Sequence, residues 1–198
     1  MTTDHASLPR PLRVVGISGS LQSPSRTTTL VREIVDEVGR RLPIEQTVIE
    51  VATLGPALGG ALRRDQVAPE AELALELIEG ADLLVAASPV YRASFTGLFK
   101  HLFDFVGQYA LVGKPVLVAA TGGGERHALI LEHQLRPLFG FFQALTLPVG
   151  VYASDSDFRE YELASAEVSA RITQAVSRSL PLIEQAALVE RSAYISTW

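Results

Sequence analysis

Two spacings of apolar residues alternate along this chain. Short apolar runs at 12–17, 45–51, 82–87, 115–120 and 147–151 read as strands, and several are nearly continuous in Val, Leu, Ile and Ala, the pattern of strands covered on both faces. Turn residues follow each run, and segments with helical spacing follow at 27–41, 69–79, 95–107, 125–145 and 165–190. In the first of these Leu30, Val31, Ile34, Val35 and Val38 recur at intervals of three and four, so one stripe faces a sheet while Arg32, Glu33, Asp36 and Glu37 fall mostly outside it. Strands alternating with helices predict parallel pairing, because each parallel neighbour needs a crossover connection.

With 198 residues the alternation suits one α/β domain: a doubly wound, five-stranded parallel sheet with helices on both faces, in the flavodoxin-like order 2-1-3-4-5. The expected boundaries are a flexible N-terminal tail at 1–10, the domain at 11–190 and a C-terminal tail at 191–198 that carries the only tryptophan. Residues 52–69, "ATLGPALGGALRRDQVAP", read as a long loop because of their glycines and prolines.

Composition removes several classes of function. Lys and Arg number 17 against 22 Asp and Glu, a formal charge of −5, and no basic run exceeds two residues, which disfavours nucleic acid. The chain has no cysteine, so disulfides, thiolate nucleophiles and cysteine-ligated metals are excluded, in keeping with a reducing cytoplasm. No segment reaches the roughly 18–20 apolar residues of a membrane span, and a soluble cytoplasmic protein is expected. His127 and His133 lie six residues apart on different helix faces, so no metal site is expected.

Ligands of doubly wound sheets sit beyond the carboxyl ends of the strands, near the point where strand order reverses. "GISGSLQSPSRTTTL", residues 16–30, falls there. Gly19 allows a tight turn, Ser20 and Ser25 offer hydroxyls, Arg26 can add charge-assisted bonds, and Thr27 and Thr28 open a helix whose unpaired N–H groups attract an anion. The stretch lacks the lysine of a P-loop, the third glycine of a dinucleotide fingerprint and the spacing of a hydrolase elbow. A hydroxyl-rich cradle remains, as would suit the 5′-phosphate of flavin mononucleotide (FMN); the alternative is a plainly capped helix.

Two further stretches lie on the same sheet edge. In "SPVYRASFTGLFKHLFD", residues 88–104, Pro89 stiffens the turn, the N–H groups of Val90 and Tyr91 are placed to reach a flat ring, and Ser94 is a candidate helix N-cap. In "TGGGE", Thr121 to Glu125, Gly122, Gly123 and Gly124 allow backbone to lie against a planar ligand.

On these residues the chain resembles the NAD(P)H-dependent FMN reductases, flavodoxin-like enzymes, over roughly residues 14–157. Within that family it is most similar to the reductases of two-component monooxygenases of organosulfur metabolism, a likeness carried largely by "EHQLRPLFGFFQA", residues 132–144. The resemblance implies hydride transfer from NADH or NADPH to FMN, with reduced flavin passed to a separate FMNH2-dependent monooxygenase. It implies a phosphate-binding role for Ser18, Ser20, Ser25, Arg26, Thr27 and Thr28, and a ring-binding role for Pro89, Val90, Tyr91, Ser94 and Thr121 through Gly124. Gln22 departs from the arginine of many relatives, which shifts weight to Arg26.

No catalytic acid or base is expected, since hydride transfer is chemistry of the two cofactors. Two other readings share these residues: a flavodoxin-type electron carrier, and a quinone or azo-dye reductase that retains its FMN. Arg63, Arg64, Arg92 and Arg126 are candidates to meet a coenzyme 2′-phosphate. The resemblance also implies a π-type irregularity with His133 as the inserted residue, a candidate modulator of flavin retention at a subunit interface, and Pro137 independently argues against a regular helix there. Leu135, Leu138, Phe139, Phe141, Phe142 and Leu145 make this helix apolar almost all round, which predicts a homo-oligomer, a dimer or tetramer by resemblance.

Overall fold

The computed structural model describes residues 10–188. Its central sheet is parallel: β1 (Leu12–Ser18), β2 (Ile44–Glu50), β3 (Leu83–Pro89), β4 (Pro115–Gly122), β5 (Leu145–Thr146) and β6 (Val151–Ser154). The order is β2-β1-β3-β4-β5, with β6 also on β4, the expected 2-1-3-4-5 arrangement. Side chains alternate across it, as the period of two requires. Leu12, Val14, Leu83, Val85, Leu117 and Ala119 join one core cluster with helices α1 (Arg26–Gly39) and α6 (Ala166–Leu188). Val15, Ile17, Leu84, Ala86, Val116 and Val118 join the other, under α2 (Val51–Leu58), α3 (Pro69–Gly80), α4 (Gly97–Asp104) and α5 (Arg136–Phe141).

The α1 stripe is buried as its spacing predicts, from Leu30 through Val38. Glu37 departs from its outward assignment; it is buried, and Arg40 and Arg41 donate to its two oxygens at 2.8 and 2.9 Å. The long loop expected at 52–69 contains α2 and a short 3-10 turn, Arg64–Gln66. Val51 and Leu58 bury completely, and that burial outweighs the weak helix propensity of Gly55 and Pro56.

The fifth strand is split rather than continuous over 147–151. Pro148 has no N–H to give a ladder, and arginines take the carbonyls of the gap: Arg136 donates to Leu147 O and Pro148 O at 2.8 and 3.0 Å, and Arg171 to Gly150 O at 3.0 Å. The helix expected at 125–145 is also broken, into a 3-10 turn (Glu125–His127), a π-helical segment (Leu131–Leu135) and α5. Pro137 cannot donate to the carbonyl four residues back, that of His133, and the helix widens just ahead of it.

Arg10, placed in the tail by sequence, donates to both Asp82 oxygens at 2.7 and 2.9 Å. Residues 1–9 and 189–198 lie outside the described residues, and with them the C-terminal tail and the last two positions of the expected final helix. No described helix is long and apolar enough to cross a membrane.

Candidate flavin site at the carboxyl edge of the sheet

Because β1, β3 and β4 are neighbours, the three sequence-predicted loops leave the sheet side by side. Backbone and hydroxyl bonds lace them together. Gly19 N–H donates to Ala87 O, Val90 N–H to Thr121 O, and the Thr96 hydroxyl to Gly19 O, each at 2.7 Å.

The first loop ends in a capped helix. Ser25 has extended backbone and its Oγ accepts from Thr28 N–H at 3.3 Å. Below the cap the hydroxyls form buried pairs: Thr28 Oγ1 donates to Ser18 Oγ at 2.8 Å, and Thr27 Oγ1 and Thr121 Oγ1 are 2.6 Å apart. Ser20 closes the turn on itself, its Oγ accepting from Gln22 N–H at 3.2 Å. Gly19 is required by contact, since a Cβ there would stand 2.7 Å from the ring of Phe99. The N–H groups of Arg26 and Thr27 belong to the first turn and have no carbonyl of their own helix to meet. Arg26 itself reaches sideways, with Nη1 2.8 Å from Asp155 Oδ1 and Nε 2.9 Å from Glu160 O.

The second loop is arranged differently from its sequence reading. Arg92 and Ala93 have φ of 50° and 68°, a left-handed turn closed by reciprocal bonds between Tyr91 and Ser94. The N–H groups of Val90 and Tyr91, expected at the ring, are therefore spent on Thr121 O and Ser94 O. The turn also delays the helix: the N-cap of α4 is Thr96, whose Oγ1 accepts from Phe99 N–H at 3.3 Å. Ser94, the expected cap, instead donates from Oγ to Gln134 at 3.0 Å. Pro89 ends β3, and Tyr91 is 56% exposed, so its ring is available to a ligand.

In the third loop the glycines do separate jobs. A Cβ on Gly122 would lie 2.6 Å from the Tyr152 hydroxyl, whereas Gly123 and Gly124 have nothing within 4 Å of that position. Tyr152, which sequence reasoning missed, donates to Gly124 O at 2.7 Å and pins the loop. Burial raises its phenol above the usual range, so it remains a donor at neutral pH. Alternation along β6 was the available signal, since Tyr152 stands between the buried Val151 and Ala153.

The residues fit FMN. Open first-turn N–H groups and hydroxyls form one corner for a phosphate, and unobstructed glycine backbone forms another for a planar ring. The described residues hold no cluster of three or more His, Asp or Glu side chains suited to a metal ion. Of the four arginines considered for a coenzyme phosphate, Arg63 pairs with Asp65 and Arg64 with Glu72 and Glu79 on the α2–α3 connection. Arg92 lies over the Tyr91 ring at 5.9 Å. Arg126 lines a pocket of about 170 Å³ with Val90, Ala93, His127 and His133, which places His133 next to a ring-loop residue.

Comparison with known proteins agrees with this geometry. Residues 12–159 match the family described as NADPH-dependent FMN reductase. An FMN reductase (NADPH) of Pseudomonas aeruginosa is 53% identical over 172 residues, covering 87% of this chain and 92% of the relative. The NADH-dependent FMN reductase SfnE of Pseudomonas putida is 51% identical over 183 residues, 92% of this chain and 98% of the relative. The solved apo form of the NADH:FMN oxidoreductase EmoB superposes with a TM-score of 0.76 at 29% identity, covering 92% of each chain. Fold, converging loops and relatives agree, and the chain belongs to the NADPH-dependent FMN reductase family.

Proposed function

We propose that the protein is an NAD(P)H-dependent FMN reductase whose reduced flavin supplies a partner monooxygenase, in the sulfonate branch of sulfur metabolism. The observation that carries the reading is the convergence of a capped, hydroxyl-lined helix start and a bare glycine backbone on one sheet edge. Hydride transfer is chemistry that nicotinamide and flavin supply when bound; the chain's part is to bind and align. Ser20, Ser25 and the first turn of α1 hold the phosphate, while Pro89, Val90, Tyr91, Ser94 and Thr121 through Gly124 border the ring. Of the residues that border the ring only Tyr91 is aromatic, since Phe95 of the same loop packs against the core and the ring of Phe99, and one ring face is left for the nicotinamide. Relatives named for NADPH and for NADH are about equally similar, and both coenzymes are proposed as donors.

The same reading extends to assembly. Leu129 and Phe141, each 62% exposed, flank the π-helical segment. A second copy covering them gives the homo-oligomer, a dimer or tetramer in the cytoplasm, with His133 at the interface beside the flavin. The deciding experiment measures NADH and NADPH oxidation by the purified protein with and without added FMN, together with flavin content on isolation. Turnover that depends on added FMN is expected. Tightly held FMN with no coenzyme oxidation would make the protein an electron carrier, and retained FMN with turnover on a quinone or azo dye would make it a reductase of that second substrate.

A further inference from the structure

We propose that Asp155 is a built-in competitor for the flavin's phosphate: its carboxylate engages Arg26 when the nucleotide is away and opposes the phosphate when it arrives, so that flavin is released rather than retained. The proposal rests on the phosphate-corner reading of residues 18–28 given above.

Arg26 is the first residue of α1, and its backbone N–H belongs to the open first turn where an anion would sit. Its guanidinium is the only full positive charge in the stretch from 16 to 30. Two of its three nitrogens are nevertheless directed at the segment after β6, Nη1 to Asp155 and Nε to Glu160 O. Asp155 directly follows Ser154, which pairs with Gly122 at the end of β4, so its carboxylate stands on the same sheet edge as Thr121 and Thr27.

The carboxylate is held near that corner from behind. Asp157 Oδ2 accepts from the N–H and the hydroxyl of Ser154, both at 2.7 Å, and Asp157 O accepts from the N–H groups of Ala164 and Ser165 at 2.8 and 3.1 Å. Burial alone would raise the Asp157 carboxyl, but the Ser154 bonds outweigh it and hold it below the usual range. The hairpin beyond, β7 (Phe158–Arg159) and β8 (Glu162–Leu163), is fastened to α1 by Thr29 Oγ1 donating to Tyr161 O at 2.7 Å. The two neighbouring acids thus act in different directions. Asp157 turns inward and fixes the backbone, whereas Asp155 points its charge at Arg26.

The pair itself is loose. The Arg26 and Asp155 side chains are 37% and 57% exposed, and exposed ion pairs are weak and screened by salt. A doubly charged phosphate can displace the carboxylate, yet the displaced negative charge stays nearby. A reductase whose flavin is a substrate benefits from that arrangement, since every increment of phosphate affinity slows product release.

The test is a titration of the full-length protein with FMN and with riboflavin, which lacks the phosphate, followed by flavin fluorescence at low and high ionic strength. Asp155→Asn is expected to tighten FMN about three- to tenfold at low salt, with a smaller gain at high salt, and to leave riboflavin unchanged. Arg26→Ala is expected to weaken FMN selectively, and the gain from Asp155→Asn should shrink in the double variant. Asp155→Ser repeats the test if the Asn variant melts early. Unchanged FMN affinity in Asp155→Asn, or an equal shift for FMN and riboflavin, overturns the proposal. If Arg26→Ala selectively weakens FMN while the Asp155 variants do nothing, the phosphate corner stands and the competitor alone falls. If wild type binds FMN and riboflavin equally and Arg26→Ala changes neither, both fall together.

Discussion

The two corners of the flavin site are built on opposite plans. At the phosphate corner the hydroxyls of Ser18, Thr27 and Thr28 are buried and paired, Thr28 with Ser18 and Thr27 with Thr121 of the glycine loop, so the helix start is fixed before any anion binds. At the ring corner Tyr91, Arg92, Ala93 and Gly123 are exposed, the backbone turns through two left-handed non-glycine residues, and a π-helical segment replaces a regular helix. Preorganised donors give an anion affinity without reorganisation, whereas an open, locally paired rim admits a second cofactor. One corner anchors and the other receives.

What joins the corners is a chain of phenylalanines. Phe99 lies under Gly19 and 4.9 Å from Phe103, which meets Phe139 edge-on at 5.1 Å and Phe142 at 6.2 Å. Phe103→Ala should therefore erase the contrast by loosening both ends. The loss of a buried ring costs about 3–5 kcal/mol, and FMN and riboflavin affinities should fall together with a lowered melting temperature. Undiminished riboflavin binding in a destabilised Phe103→Ala protein would show that the corners are mechanically independent.

Thr28→Val attacks the phosphate corner alone. It keeps the shape of the side chain but removes the donor to the buried Ser18 hydroxyl, at a cost of about 1–3 kcal/mol. FMN affinity should fall about tenfold while riboflavin affinity holds. A parallel loss of both ligands would mean that the buried hydroxyls support the whole edge rather than the anion.

How much of this was legible depends on whether the deciding contact is local. The first four strands and the α1 stripe follow from spacing within a few residues, and the sequence reading places them; the split fifth strand and the Ser25 cap it does not. Thr96 rather than Ser94 caps α4 because Arg92 and Ala93 adopt φ values rare for residues with a Cβ, and no residue type announces that. The helix α2 forms through "ATLGPAL", where propensity argues against it and burial of Val51 and Leu58 decides. Asp155 was invisible because its meaning lies 129 residues away, at Arg26. The loops were readable as loops; what each N–H donates to was not.

Asp82 supplies the control, because it lies just before β3, at the amino edge opposite the site. Burial would raise its carboxyl, but donation from Arg10 and from Arg13 N–H outweighs that and brings it down to about 2. A carboxyl depressed on folding stabilises above its unfolded value near 4 and loses that contribution as pH falls from about 4 to about 2. Asp82→Asn should cost up to about 2 kcal/mol at neutral pH, and the gap from wild type should close near pH 2 in a series of denaturant melts. Flavin affinity should not move in either corner. A change in FMN binding would mean that the sheet transmits strain from one edge to the other.

The smallest effect is expected at the ring corner, from Tyr152→Phe. The change deletes one bond, the hydroxyl to Gly124 O at 2.7 Å, and leaves the ring that packs beside Gly122. Gly124 is only half-buried, so water can replace the lost donor, and stability should fall by no more than about 1 kcal/mol. Ligand binding is the sharper readout, because the glycine backbone held by this bond would meet the ring and not the phosphate. FMN and riboflavin should weaken alike, about threefold, which is the reverse of the selectivity expected from Thr28→Val. The two substitutions thus separate anchoring from receiving by ligand preference alone. If Tyr152→Phe instead weakens FMN while sparing riboflavin, the glycine loop serves the phosphate, and the division of the site into two corners has to be redrawn along β4.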